Sequence, residues 1–450
     1  MKKVVVIGGN AAGMSAASQV KRQKPDWDVV VFEKGSFISY AACGIPYYVQ
    51  GLVPQLEKLI TVTPEEAVSK RKLNLKLNHK VIAIEPEEKR VIVDEPNGTV
   101  TATFDYLVIA TGARPLKAGI EYAPSKRIFT ANDLNDADGL RKFIEVERPG
   151  KCAVIGGGYI ALEMLEALKE RGLETHLIHR REDLSRNFEI EISDLAKSEM
   201  VREGIVLNLS QPVFRAFEKD ETVEVHTQRE ILNYDLVIVA TGVEANSDLA
   251  DNCGIKTGIK GAIRVNEYMQ TDYQHIFAAG DCVETRNLIT GKPVFVPLAL
   301  KANKEGVVAG INVSGGQEVF PGILGTAITK FCNIGLARTG ITLAEAEENG
   351  FDAIKYSVKS GSRAHYYPGG GSIEAVLIAD KKTGRLLGAQ LAGPVDSVKR
   401  IDVYATAIMA EMTLNQIFQL DLSYAPPFSP VYDPVILAGR IGRKMITAGT

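Results

Sequence analysis

The five cysteines of this chain, Cys43, Cys152, Cys253, Cys282 and Cys332, include no CxxC pair, and their number is odd. That spacing argues against a disulfide framework and against a cysteine zinc site, so no metal is expected. Long apolar runs are missing too: nothing approaches the roughly 20 residues of a membrane span. The chain opens on an apolar strand rather than on a signal peptide, and the expectation is a soluble, cytoplasmic protein with no membrane partner. Charge of neither sign is in excess. The formal net charge is -3 with both signs interspersed, which leaves no basic footprint and argues against nucleic acid as a partner.

What is plentiful is glycine, 41 residues in 450, clustered after short β-branched strands. At this length about three domains are expected. Up to about residue 320 strand, loop and helix alternate, which predicts an α/β fold of two Rossmann-like dinucleotide-binding domains. The first unit runs from a strand over 3–7 through Gly8-Gly9-Asn10-Ala11-Ala12-Gly13 into a helix over 12–22, stopped by Pro25, and on to a strand over 29–32 that ends at Glu33. The second repeats the plan: a strand over 152–155, Gly156-Gly157-Gly158-Tyr159-Ile160-Ala161, a helix over 159–171 and a strand over 175–178, with His179 where the first unit has Glu33. Ala110-Thr111-Gly112 and Ala240-Thr241-Gly242 each end an apolar strand downstream of one loop, a duplication that predicts a shared role in closing the two domains. Past residue 320 the runs 373–379 and 386–391 about Thr383-Gly384-Arg385 predict an antiparallel hairpin, followed by an apolar helix near 403–412. This is a separate C-terminal α+β domain whose expected role is subunit contact or completion of a site.

Each glycine loop sits between a strand and a helix, the context a dinucleotide fingerprint requires. Gly8, Gly9 and Gly13 let backbone approach a pyrophosphate, and Glu33 stands where an acid accepts ribose hydroxyls. Asn10 departs from the fingerprint at its middle glycine and is expected only to reshape the turn. In the second loop His179, Arg180 and Arg181 replace the acid, a set that accepts a 2′-phosphate, so NADPH is expected to be tolerated beside NADH. The segment 271–281 reads as a strand that ends at Gly280 and Asp281, where the acid can hold the hydroxyls of a ribityl chain. Pro297-Leu298-Ala299 opens a helix whose dipole faces that site. Cys43, in Ser39-Tyr40-Ala41-Ala42-Cys43-Gly44-Ile45-Pro46, falls at the first turn of a short helix, where unpaired N–H groups are expected to lower its pKa. Gly44 is expected to clear space for a flat ring. Two dinucleotides and one thiol predict a flavin-linked redox enzyme; Cys152, Cys253 and Cys332 read as structural, and Cys282 is set apart only because it follows Asp281.

These residues resemble the pyridine nucleotide-disulfide oxidoreductases with a single active-site cysteine, most closely the coenzyme A-disulfide reductases. The likeness spans essentially the whole chain and is carried by residues 39–47, by His365-Tyr366-Tyr367-Pro368-Gly369-Gly370 and by Tyr424-Ala425-Pro426-Pro427-Phe428-Ser429-Pro430. It implies an FAD domain over 1–114 and 249–322, an NAD(P) domain over 115–248 inserted into it, and a C-terminal dimerisation domain over 323–450. It further implies that FAD relays electrons from NAD(P)H to a mixed disulfide between Cys43 and coenzyme A. Tyr366 and Tyr424 of a second copy of the chain are expected at that sulfur, with Tyr367 as the neighbour that can replace Tyr366. The cofactor residues implied are Gly8, Gly9, Ala11, Ala12, Gly13, Glu33, Lys34, Ser39, Cys43, Ala110, Thr111, Gly112, Gly280, Asp281, Pro297, Leu298 and Ala299, with Gly156, Gly158, Tyr159, Ile160, His179, Arg180 and Gly242 in the second domain. Ser15, Gln19, Arg22, Ser39, Arg71 and Asn303 match coenzyme A contacts, together with Tyr366 and Tyr424. Many relatives have Asn where this chain has Ala42, which bears on the identity of the thiol substrate.

Members of the glutathione type use two redox cysteines and a C-terminal His-Glu pair; no histidine follows His365 here. The expected activity is NAD(P)H-dependent reduction of coenzyme A disulfide, or of coenzyme A persulfide or polysulfide. Two alternatives stand beside it: an NADH oxidase that reduces oxygen, and a flavin-binding redox sensor. The oxidases place a histidine beside the cysteine from the first loop, where this chain has Ala11.

Overall fold

A computed structural model describes residues 1–123 and 125–447; Pro124 and residues 448–450, which the expected domain ranges include, lie outside the described residues. Val4, Val5 and Val6 are fully buried, as β-branched residues in a strand covered on both faces should be. Their strand, Lys3–Ile7, is the middle of a five-stranded sheet in the order Ile276–Ala278, Tyr106–Ile109, Lys3–Ile7, Asp28–Phe32, Asn74–Lys76. Every pair is parallel. A second five-stranded sheet runs Ile128–Phe129, Leu236–Val239, Lys151–Ile155, Glu174–Ile178, Val206–Asn208, again parallel throughout. Helix α1, Ala11–Gln23, follows the first glycine loop; α2, Ile45–Gln50, follows Cys43; α3, Tyr159–Glu170, follows the second loop; and α4, Ala299–Val313, packs against α1. Gly306 and Gly310 permit that packing, because a Cβ on them would stand 2.3 Å from Ala12 O and 2.6 Å from Ala16 O respectively.

The duplicated Ala-Thr-Gly has a steric cause. Gly8 and Gly156 have φ of +107° and +147°, and a Cβ on either would sit 2.1 Å from the carbonyl oxygen of Ala110 or Ala240. Those alanines are held close because Ala110 N donates to Ile7 O and Ala240 N to Ile155 O, each at 2.8 Å. The threonines do a second job. Thr111 Oγ1 donates to Asn246 O at 2.5 Å and Thr241 Oγ1 donates to Leu116 O, so the hydroxyls grip the two segments, Ala113–Pro115 and Val243–Ala245, that pair antiparallel where the chain crosses between the sheets.

The C-terminal sheet is antiparallel, in the order Ala327–Phe331, Ile334–Gly340, Leu386–Pro394, Ser372–Asp380, Ala353–Gly361, and includes the expected hairpin. Three sequence expectations shift. The run 271–281 is a strand only over Ile276–Ala278, because Thr271 N turns back to donate to Ile276 O at 3.0 Å. Helix α4 starts at Ala299 with Leu298 as its N-cap, so Pro297 lies before the helix and not in its first turn. The apolar helix near 403–412 spans Ile401–Met409 and ends where Glu411 takes a left-handed φ of +54°.

Candidate active site

Both glycine loops open into one continuous cleft of about 2420 Å³. Of the residues expected at the cofactor sites, all line it except Gly13 and Ser39. Gly13 lies behind the loop, where a Cβ would be 1.9 Å from Gly8 O. Helices α1, α3 and α4 have no side-chain cap and no acidic residue in the first turn. Their first N–H groups are therefore left for an anion, as a pyrophosphate-binding helix requires. Glu33 accepts from Gly9 N and Gly35 N, each at 2.7 Å. Asp281 Oδ1 is buried in the cleft wall without a hydrogen-bond partner, and burial raises the carboxyl's pKa. An orphaned acceptor there fits the hydroxyls of a flavin's ribityl chain.

Cys43 lies in a 3-10 turn, Ala42–Gly44, that runs directly into α2. The segment before it is stitched to the first loop: Ser39, in the left-handed region at φ +44°, donates its N–H to Gly9 O at 2.8 Å, and Tyr40 N donates to Asn10 Oδ1 at 3.2 Å. Asn10 thus does more than shape a turn; it fixes the cysteine segment against the phosphate loop. A Cβ on Gly44 would meet Leu59 Cδ2 at 2.3 Å, so the glycine leaves room for this leucine as well.

The expected lowering of the Cys43 pKa is reversed. Cys43 is exposed at the cleft surface, yet packing around its sulfur removes enough water to push the thiol up, and Glu163 and Asp281 add negative potential. In this chain the helix end is outweighed by desolvation and two carboxylates. The other cysteines are placed structurally. Cys152 and Cys282 are buried, the second with its Sγ toward Ala279 O at 3.4 Å. Burial pushes Cys152 and Cys332 up to about 12.

His179 is buried over Gly157, whose Cβ would stand 2.9 Å from the ring, and its Nε2 has no partner. Burial and the neighbouring Arg181 and Arg180 lower its pKa, which favours the neutral imidazole beside the two guanidinium groups. Arg181 is committed to Leu184 O at 2.9 Å, and Arg180 is the exposed cation of the group. Tyr159 stacks edge-on against Phe188 at 5.5 Å with its buried hydroxyl unpaired.

The residues matched to coenzyme A contacts do not all fall in one place. Ser15 Oγ donates to Asn303 Oδ1 at 2.9 Å across α1 and α4, on the cleft wall. Arg22 and Arg71 converge on Ser18, through its carbonyl at 3.2 Å and its hydroxyl at 2.9 Å, outside the cleft lining. Gln19 packs its Cβ toward Gly310 on the same face of α1. Ser39 is paired with Thr61, Oγ to Oγ1 2.9 Å. Tyr366 and Tyr424 are 65 % and 47 % exposed and lie close enough for Tyr366 to raise the Tyr424 pKa; within one chain they do not line the cleft with Cys43.

Three charged groups at or behind the cleft wall escaped the sequence reading. Glu163 on α3 lines the cleft, accepts from Thr329 Oγ1 at 2.8 Å and has its pKa raised by burial. Lys301 and Glu305 form a buried ion pair on α4. Charged residues inside otherwise apolar helices, Glu163 and Glu166 in YIALEMLEALKE above all, are the signal that could have found them.

The sequence pattern of the pyridine nucleotide-disulphide oxidoreductases matches residues 2–306, and that of their dimerisation domain matches residues 326–434. The chain belongs to this family. Members of the family use FAD and a nicotinamide nucleotide, and the two uncapped glycine-loop helices with the orphaned Asp281 oxygen fit that pair. The chain is 44 % identical to the NAD(P)H sulfur oxidoreductase (CoA-dependent) of Pyrococcus abyssi over 98 % of both chains. It is 44 % identical, again over 98 % of both, to the NAD(P)H coenzyme A polysulfide/persulfide reductase of Pyrococcus horikoshii. Among solved structures, the NAD-dependent persulfide reductase from A. fulgidus superposes with a TM-score of 0.96 at 38 % identity, over 99 % of this chain and 84 % of that one.

Proposed function

We propose that this family member is a homodimeric NAD(P)H-dependent flavoprotein that reduces coenzyme A disulfide, or coenzyme A persulfide and polysulfide, through a mixed disulfide on Cys43. The observation that carries the reading is the placement of one exposed thiol in the same cleft as both dinucleotide loops. The division into 1–114 with 249–322, 115–248 and 323–450 is supported by membership of the three five-stranded sheets.

Bound FAD supplies a two-electron relay between the nicotinamide and sulfur. The residues of the chain do the rest. The Cys43 thiolate attacks one sulfur of coenzyme A disulfide; a new S–S bond forms, the old one breaks, and one coenzyme A thiolate leaves and takes a proton. Two electrons then break the Cys43 mixed disulfide, which frees the second coenzyme A and restores the thiolate. With coenzyme A persulfide, the same nucleophile attacks the outer sulfane sulfur; the S–S bond breaks, coenzyme A leaves as thiolate, and two electrons then release sulfide from the Cys43 persulfide and restore the thiolate. Burial of the sulfur, with Glu163 and Asp281 adding negative potential, disfavours the Cys43 thiolate. Ser15, Asn303, Arg22 and Arg71 form the polar face assigned to the coenzyme A nucleotide, and Tyr366 with Tyr424, from the second copy, the proton donor to the leaving thiolate.

The test is NAD(P)H consumption with coenzyme A disulfide and with coenzyme A persulfide. Wild type should turn over at least one of them, and Cys43→Ser should lose turnover while its flavin is still reduced by NAD(P)H. A Cys43→Ser variant at the wild-type rate would end the reading.

A further inference from the structure

Lys301 and Glu305 stand one turn apart on α4 with side chains 2 % and 0 % exposed, Nζ to Oε2 3.0 Å. Burying such a pair is costly, and apolar residues of similar size are often neutral or better for stability. What the pair does here is positional. Lys301 Nζ donates to Gly280 O at 2.8 Å and to Val283 O at 3.4 Å, while Gly280 N donates to Glu305 Oε2 at 2.9 Å. Both polar groups of the Gly280 backbone are therefore held from one helix. Gly280 itself needs holding, since its φ is +90° and a Cβ would stand 2.7 Å from Ala12 of α1. The next residue is Asp281, whose Oδ1 has no partner, and Glu305 Oε1 has none either. Burial raises the pKa of both carboxyls, that of Glu305 to about 7, with Lys301 opposing the shift in each.

We propose that the buried Lys301–Glu305 ion pair is the positioning device of the flavin site: it locks the Gly280–Asp281 turn so that the Asp281 carboxylate meets the ribityl hydroxyls, and so sets how tightly FAD is held. This rests on the flavin reading above and assigns a role to two residues that contact neither the cysteine nor a glycine loop. The pair acts through Asp281, so its effect should vanish when Asp281 can no longer act.

The experiment measures FAD dissociation from purified holoprotein by the fluorescence of released flavin, for wild type, Glu305→Gln, Asp281→Asn, Glu305→Gln/Asp281→Asn and Lys301→Met/Glu305→Leu. Losing a hydrogen bond to a charged group corresponds to about a tenfold change in Kd. Lys301→Met/Glu305→Leu should release FAD about tenfold more readily, and Glu305→Gln about threefold, because the amide oxygen still accepts from Gly280. The Glu305→Gln and Asp281→Asn effects should be less than additive. Strict additivity, or a Glu305→Gln Kd equal to wild type, overturns the proposal. If the apolar double variant does not fold, the Glu305 and Asp281 cycle decides alone. A wild-type protein that neither carries nor takes up FAD fails earlier and differently, and removes the flavin reading together with this inference.

Discussion

Thr329 Oγ1 reaches from the C-terminal sheet to hydrogen-bond Glu163 Oε1 on α3 at 2.8 Å. That contact joins the dimerisation sheet to a carboxyl that faces Cys43 and raises its pKa. Replacing Glu163 by Gln keeps the hydrogen bond and removes the charge. The Cys43 pKa should then fall, and alkylation of the reduced thiol by iodoacetamide at pH 8 should be about twofold to fivefold faster. Because the thiolate is the reacting form, rates in both proteins rise with pH, and the Glu163→Gln profile should lie at lower pH. Superimposable profiles would remove Glu163 as a control on the sulfur.

Intact mass gives a second check on Cys43. Protein purified without reductant should carry a mass increment equal to coenzyme A on a fraction of molecules, lost on treatment with dithiothreitol. Cys43→Ser should carry none. An increment that survives in Cys43→Ser would move the mixed disulfide to another cysteine, against the burial of Cys152 and the high pKa of Cys152 and Cys332.

Arg180 is the exposed cation beside a buried His179 of lowered pKa. Arg180→Ala should raise KM for NADPH about tenfold, as expected for one charged contact to a 2′-phosphate, and leave KM for NADH within about twofold. Parallel steady-state titrations with the two nucleotides check it. Equal effects on both would place Arg180 outside the phosphate site.

Gly306 carries the contact between α1 and α4, with a Cβ position 2.3 Å from Ala12 O. Gly306→Ala must part the helices, at a cost of about 1–3 kcal/mol for overpacking. Thermal unfolding of the holoprotein should show Tm lower by several degrees, with FAD released at the same transition. An unchanged Tm would mean that the helices separate freely there.

Much of this fold could be read from residue order because its signals are local. The strand, loop and helix of each unit are contiguous, and Gly8 and Gly156 stand where backbone conformation and a nearby carbonyl leave room for no side chain. The antiparallel hairpin near Thr383-Gly384-Arg385 was legible for the same reason. What could not be read depends on residues far apart in the chain. The Cys43 pKa is set by Glu163 and Asp281, more than a hundred residues away, and helix-end chemistry alone gave the wrong direction. Gly44 faces Leu59, and the His179 pKa is lowered first by burial, with Arg181 and Arg180 of its own motif adding to the shift. The Lys301–Glu305 pair was visible as an i, i+4 spacing, but such pairs are ordinarily surface features; only tertiary packing turns this one inward.

The clasp of α1 on α4 through Gly306 and Gly310 joins residues 11–23 to residues 299–313. During synthesis the amino-terminal strands and their phosphate loop emerge first, but their covering helix is nearly the last piece of the two nucleotide units to be made. On the proposed division, the inserted unit is complete by residue 248 and can collapse on its own while the amino-terminal half waits. Flavin capture is therefore expected only after translation has passed Val313, and a truncation before that point should yield a polypeptide that retains the second glycine loop but stays colourless.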